Sequence, residues 1–333
     1  LMSLLAVCSI CVHSPEKIND IELIYMPSIE TKFLSQFVNS FFSFLHVCFS
    51  KVDVVLVVNS ANGPFGILTR IFRKKTCINV DGIEWLRPKW KGFGAIYFKI
   101  SSKLSTLFFD EIITDSIEMN NVYIKKFNKS SSVIAYGPTM NKNDSSQFLQ
   151  KYNLSKKDYY LIVGRLIPDN NSKLILDGFK NSKSNKKIVV VGDVPYKDQF
   201  ANNIKAYSTK NIIFTGYIKS QNDLTTLYKN CFAYVHGHEF GGTNPTMINA
   251  LDLNCSVIAL NTKFNKEMLI GKYSVLFEKS ISSVSSSIVK FENKYSHLMQ
   301  KNKKYEIPKI YNWNYITLQY ENLFYKIVKT KIR

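Results

Sequence analysis

The sequence predicts an α/β protein built from two doubly wound, parallel-sheet domains. Short apolar runs alternate with amphipathic segments along the whole of its 333 residues. The alternation forms two series, parted by a polar, turn-rich stretch. Polar and charged residues stand directly after several apolar runs, where an open parallel sheet binds its ligands. Strands alternating with helices imply a parallel sheet with helices on both faces, and the length suffices for two ordinary domains.

The first series places strands at residues 4–8, 21–25, 52–58, 77–80, 111–114 and 132–135. Helices fall between them at 31–49, 66–72, 97–109 and 116–126. Between residues 137 and 158 lie Pro138, Asn141, Lys142, Asn143, Asp144, Ser145 and Ser146, a composition that marks a domain boundary. The second series places strands at 159–163, 187–191, 212–215, 233–236, 256–260 and 275–277. Its helices fall near 171–181, 196–209, 221–229, 245–253 and 265–269. A last aromatic-rich helical segment covers 313–331. The expected division is 1–140, 155–305, and a C-terminal helix within 306–333 that packs back toward the first domain.

Residues 236–251, His-Gly-His-Glu-Phe-Gly-Gly-Thr-Asn-Pro-Thr-Met-Ile-Asn-Ala-Leu, carry the strongest chemical signal. An apolar strand precedes them, Asn244 stands as an N-cap, and Pro245 takes the first helical position. A strand, a two-glycine loop and a capped helix start suit an anionic phosphate, because loop amides and the helix dipole both favour negative charge. The amides of Gly242, Thr243 and Asn244 are expected to be open, with Gly241 beside them. Other residues follow strands in the same way: Gly164 and Arg165, Gly216 and Tyr217, and Asp81, Gly82 and Glu84. Arg165 suits a diphosphate because its planar fork binds two oxygens and keeps its proton. His236 and His238 form an H-x-H pair without a third ligand at zinc-site spacing, so no metal is predicted.

The formal charge is +19. It is uneven: residues 1–150 hold 16 Lys/Arg against 12 Asp/Glu, and residues 151–333 hold 28 against 13. Such a surface attracts phosphorylated ligands, anionic lipid or nucleic acid. No recognition helix, zinc finger or RNA-binding sheet motif is present, so a nucleic-acid partner is not expected. Residues 85–109 interleave Trp85, Trp90, Phe93, Tyr97, Phe98, Phe108 and Phe109 with Arg87, Lys89, Lys91, Lys99 and Lys103. This belt is read as a membrane-facing surface. No apolar run approaches the roughly 20 residues of a membrane span. The six cysteines are scattered, and the lone Cys8-x-x-Cys11 lies in an apolar run, which fits buried thiols.

The pieces Val163-Gly164-Arg165-Leu166, Phe214-Thr215-Gly216 and Glu239 to Leu251 occur in an order that resembles glycosyltransferase family 4. The wording Asn79-Val80-Asp81-Gly82-Ile83-Glu84-Trp85, Lys89-Trp90, Tyr136-Gly137, Pro168-Asp169-Asn170-Asn171 and Gly241-Gly242-Thr243-Asn244-Pro245 resembles its bacterial rhamnosyltransferase-like subfamily of O-antigen and capsule synthesis. The resemblance implies the GT-B fold, two Rossmann-like domains facing across a cleft. It implies retaining transfer of rhamnose or a hexose from a nucleotide-diphosphate sugar to a lipid-linked oligosaccharide, with no metal cofactor. It places the enzyme on the anionic inner face of the bacterial plasma membrane, on the cytoplasmic side. Arg165, Glu239 and Asp81 become the catalytic candidates. Gly164, Gly216, Tyr217, His238, Gly241, Gly242, Thr243, Asn244 and Asn249 become donor-binding, and Glu84 and Trp85 acceptor-side.

The sequence departs from the family at three places. Asn249 stands where many members carry the glutamate that holds the ribose, and Glu239 lies ten residues before it. Asp169-Asn170-Asn171 replaces the usual lysine after Gly-Arg, which leaves Arg165 with more of the diphosphate charge. The family's opening strand and glycine-rich loop have no match before residues 4–8, so an N-terminally truncated reading frame is expected. The alternative function is therefore a truncated, non-catalytic nucleotide-sugar-binding protein.

Overall fold

A computed structural model describes residues 3–8, 17–18, 21–29, 34–80, 82–88, 90, 92–141, 143, 146–195 and 197–330. In the first half, β1 (Ser3–Cys8) runs parallel to β3 (Ile21–Met26), and β2 (Lys17–Ile18) pairs antiparallel with β3. A second sheet holds β4 (Val55–Val58), β5 (Thr76–Asn79), β6 (Glu111–Thr114) and β7 (Ser132–Val133), all parallel and in chain order. The helices of this half are α1 (Leu34–Phe49), α2 (Gly66–Ile71), α3 (Phe93–Phe108) and α4 (Ile117–Phe127).

Side chains alternate across this sheet. Ile78 and Ile112 pack with Phe44, Phe65, Phe98 and Tyr123 on one face. Their neighbours Cys77 and Ile113 point to the other face, which Ile316, Leu323 and Ile327 cover. Those three residues belong to the terminal helix, so the end of the chain completes the core of its first half. Trp85, Phe98 and Phe109 also lie in the first core. The expected membrane belt is thus corrected: three of its seven aromatic residues fill the interior. Lys89 and Lys91, like Cys11 of the Cys-x-x-Cys pair, lie outside the described residues.

After α5 (Ser146–Lys151) comes a six-stranded parallel sheet. Its strands are β8 (Tyr159–Val163), β9 (Lys187–Val191), β10 (Ile212–Gly216), β11 (Ala233–His236), β12 (Val257–Leu260) and β13 (Val275–Phe277), ordered β10-β9-β8-β11-β12-β13. This order reverses between β8 and β11, and the crevice at that point is the doubly wound fold's ligand site. The strands are apolar throughout because both faces are covered. Tyr160, Ile162, Ile188 and Val190 meet α6 (Ser172–Ser182) and α11 (Ile281–Asn302). Tyr159, Leu161, Val189 and Val191 meet α8 (Gln221–Asn230) and α9 (Pro245–Asp252). The set is completed by α7 (Gln199–Lys205), α10 (Lys263–Met268) and α12 (Trp313–Lys329).

The halves are joined through residues 137–141. Trp313 Nε1 donates to the Pro138 carbonyl at 2.7 Å. A Cβ on Gly137 would stand 2.6 Å from the same indole, so only glycine fits there. The hydroxyl of Thr225 reaches the Asn141 carbonyl at 3.0 Å.

Candidate active site

Gly164 and Arg165 leave the carboxyl end of β8, and Gly237 to Asn244 leave that of β11, so both segments stand at the switch point. The Arg165 side chain is exposed, and its guanidinium has no partner among the described residues. Its backbone is held in place. Asn170 Nδ2 donates to the Arg165 carbonyl at 2.7 Å. That fixes the Asn170 amide, whose Oδ1 then accepts from Nδ1–H of His238 at 2.8 Å. The imidazole is kept neutral: its pKa falls to about 4, first through burial, then through Arg87, with a smaller push from Arg165. The Phe240 backbone opposes the shift. His238 therefore sits within the field of two guanidinium groups, one from each half of the molecule.

His236 lies deeper. Its pKa is lowered well below the usual imidazole value, chiefly by burial. A hydrogen-bonded row links it to the helix start: His236 Nδ1 to Tyr234 Oη at 2.9 Å, and Tyr234 Oη to Thr246 Oγ1 at 2.8 Å. Thr246 Oγ1 then donates to Asn244 Oδ1 at 2.8 Å. Asn244 caps α9 as its sequence position implies, accepting from the Thr246 amide at 3.0 Å.

The loop differs from expectation in which amides are open. Thr243 N–H donates to Asp115 Oδ2 at 2.9 Å, and Asn244 N–H to Met268 Sδ at 3.4 Å. Those two amides are occupied by the protein itself. The amides of Gly241 and Gly242 have no partner among the described residues. The anion-facing edge of the loop is therefore shifted toward its two glycines. Asn249 is engaged within the protein: its Oδ1 accepts the Thr139 amide at 2.8 Å, and the side chain is buried. Glu239 lies beside the loop, with its carboxylate shared between Lys279 Nζ and Asn171 Nδ2, the latter at 3.4 Å. Gly216 ends β10, followed by Tyr217, which is 76% exposed and open to a stacking partner.

From the other half, β5 leads to Gly82 and Glu84, and β6 leads to Asp115. Asp81 lies outside the described residues. Glu84 is buried, accepts from Trp90 Nε1 at 2.7 Å and pairs with Arg87 Nη1 at 3.1 Å. Trp85 is packed against Tyr123 and Phe127, away from any open surface, which corrects its expected acceptor-side position. Asp115 is the contact that residue patterns missed. A Cβ on Gly242 would stand 1.7 Å from its Oδ1, so the second glycine of the loop exists to admit this carboxylate. Nearby, Glu267 on α10 accepts the Ile117 and Glu118 amides at 2.7 and 2.9 Å, capping α4 across the domain boundary. Among the described residues no cluster of His, Cys, Asp or Glu could hold a metal ion.

Comparison with known proteins fits this geometry. Residues 144–306 match the Glycosyl transferases group 1 family. The matched stretch spans the six-stranded sheet together with α5 to α11. Residues 50–139 match a domain of unknown function, DUF1972. None of the curated proteins matches the sequence. A sucrose-phosphate synthase from Thermosynechococcus elongatus superposes with a TM-score of 0.76 at 12% identity, over 97% of this chain and 88% of that one. Anabaena HepE, solved with UDP-glucose, gives 0.69 at 13% identity, over 91% and 85%. A glycosyltransferase from Rickettsia africae gives 0.69 at 14% identity, over 94% and 86%. The fold is GT-B, and Arg165, His238 and the glycine loop lie within the stretch that matches the group 1 family.

Proposed function

We propose that this chain is a retaining glycosyltransferase that moves rhamnose or a hexose from a nucleotide diphosphate to a lipid-linked glycan in bacterial surface polysaccharide synthesis. One observation carries the reading: an unpartnered Arg165 guanidinium and the open Gly241 and Gly242 amides border His238 at the switch point of a group 1 domain. Those groups suit a diphosphate. In the reaction the bond from the anomeric carbon to the diphosphate oxygen breaks, and its electron pair leaves with the diphosphate. The acceptor oxygen bonds the anomeric carbon on the same face, and its proton passes to the departing phosphate oxygen. Stabilising charge on the leaving group is the largest contribution asked of the protein. Arg165 and the glycine amides supply it, Tyr217 borders the base, and Glu239 and His238 face the donor sugar. Asp81 serves the acceptor hydroxyl or the donor sugar. HepE, solved in complex with UDP-glucose, supports a nucleotide-sugar donor.

The acceptor's lipid has a matching surface. α1, α2 and α3 expose Phe49, Ile71, Phe72, Phe93, Ile96, Ile100 and Leu107, with the rings of Phe49 and Phe72 5.2 Å apart. Exposed Arg70, Arg73, Lys99 and Lys103 lie among them. Apolar side chains ringed by cations suit an anionic membrane face. This patch, rather than the whole of residues 85–109, is the membrane-facing surface at the cytoplasmic side of the plasma membrane. No helix among the described residues is long and apolar enough to cross a bilayer.

Thermal-shift titration with UDP, dTDP, UDP-glucose and dTDP-rhamnose tests the donor site. Wild type is expected to be stabilised by at least one, and Arg165→Ala to bind it about 10- to 100-fold more weakly. No stabilisation by any of the four, or an unaffected variant, rejects the assignment. The anomeric configuration of the product, read by NMR, tests retention.

A further inference from the structure

We propose that Arg87 is a second diphosphate-binding guanidinium, brought to the donor site from the opposite domain with its Nη2 edge facing the ligand. The proposal rests on the donor site described above and adds a residue of the domain of unknown function to it.

Arg87 is buried at the seam between the halves of the molecule. Two carboxylates orient it. Glu84 Oε1 lies 3.1 Å from Nη1, and Asp169 Oδ2 of the group 1 domain lies 3.9 Å from Nε. Glu84 is itself fixed by the Trp90 indole at 2.7 Å. A guanidinium has five N–H donors in a rigid fork. Here Nε is fully buried without a hydrogen-bond partner, as are both oxygens of Asp169. Nη2 has no hydrogen-bond partner among the described residues.

Nη2 faces two glycines, with Glu84 Oε1 beside it. A Cβ on Gly82 would lie 3.1 Å from it, and a Cβ on Gly241 would lie 3.6 Å from it. The Gly241 position would also lie 3.6 Å from His238 Nε2 and 3.8 Å from Gly82 Cα. Both glycines have positive φ, +68° and +111°, so other side chains are strained there. The result is a junction where two loops meet through glycine backbone, with Glu84 Oε1 also 3.2 Å from the Gly82 position. A guanidinium edge, an imidazole and the open amides of Gly241 and Gly242 border it. Two of these come from one polypeptide segment, and Arg87 comes from the other domain. A diphosphate has enough oxygens to take donors from both. Arg87 then ties the leaving group to domain contact: the guanidinium is in place only when Gly82 and Gly241 are apposed.

The test titrates wild type, Arg87→Ala, Arg87→Lys and Arg165→Ala with UDP, dTDP and the corresponding monophosphates by calorimetry, with melting midpoints recorded. Folded Arg87→Ala is expected to lose about 10- to 100-fold in affinity for the diphosphate, a charged hydrogen bond's share. Its affinity for the monophosphate is expected to change by about twofold or less, since the fork's second oxygen contact is what is lost. Equal weakening toward both nucleotides, or none, overturns the proposal. Removing Arg87 leaves two buried carboxylates without their cation. If that variant does not fold, Arg87→Lys decides: it keeps the charge and loses the fork, with about 3- to 10-fold weaker diphosphate binding expected and unchanged affinity overturning the proposal. A wild type that binds no diphosphate rejects the donor-site reading itself. Weakened Arg165→Ala beside unaffected Arg87 variants rejects Arg87 alone.

Discussion

Single residues in this molecule act across the domain seam more than within one domain. Gly242 gives way to Asp115, whose carboxylate then holds the Thr243 amide. A Gly242→Ala methyl has no room, because the nearest oxygen belongs to a buried side chain fixed by that same bond. We expect it to cost about 1–3 kcal/mol, seen as a lower urea midpoint, and to weaken nucleotide binding by displacing the loop. The two histidines set the pH response. Both are held neutral in the folded chain, His238 down to about 4 and His236 well below its usual value. The unfolded chain takes up protons near pH 6.5 and the folded chain does not, so their contribution is complete above that pH and fades as pH falls toward 4. Each imidazole adds up to about 1.4 kcal/mol per pH unit to the slope. Urea midpoints compared between about pH 7.5 and 5 should fall, and His238→Gln should flatten the fall. A midpoint that stays level in wild type would contradict this assignment.

At the scale of elements, the apolar runs were enough to place almost every strand and most helices. Tyr159 to Val163 and Val257 to Leu260 are buried on both faces, so composition alone marks them. The long α11 escaped because serine fills its first turns, and serine favours caps and turns over helix interiors. What holds it is Val284, Ile288, Phe291 and Leu298, buried at helical spacing against the sheet. The loop after β11 was legible as a phosphate site because glycine, Asn244 and Pro245 each have one local use. Its occupied amides were not, because Asp115 stands 128 residues before Thr243 in the chain. For the same reason Arg87 read as one basic residue in a surface belt, although an arginine between a buried Glu84 and a proline could have been suspected of pairing. The cap on α4 is equally non-local. Glu267 accepts two first-turn amides there, so Glu267→Ala should cost about 1–2 kcal/mol, measured by chemical denaturation. A loss under about 0.3 kcal/mol would show that solvent replaces the carboxylate freely.

For the whole molecule, the chain crosses from its first half to its second and returns, so the first half is not closed without the last helix. Ile316, Leu323 and Ile327 fill the face that Cys77 and Ile113 leave open. The exposed apolar patch proposed to meet the membrane is carried by three helices of the first half and shares no residue with the loop after β11, which lets the two be separated by mutation. Replacing Ile71 and Phe93 together by glutamate should reduce binding to vesicles of phosphatidylglycerol by about tenfold or more, since each exposed apolar side chain contributes on the order of 1 kcal/mol or above. Nucleotide affinity should stay as it is in wild type. Co-sedimentation unaffected by the pair would remove this patch as the docking face. Trp313 lies half-exposed over Gly137 and Pro138, where the chain passes between halves. Of its companions, Trp85 is enclosed and Trp90 is partly buried. Any pivoting at the crossing must slide the peptide beneath that ring and alter its access to water. The protein thus carries an intrinsic fluorophore at its pivot, and its emission and quenching would follow opening and closing in solution without an added label.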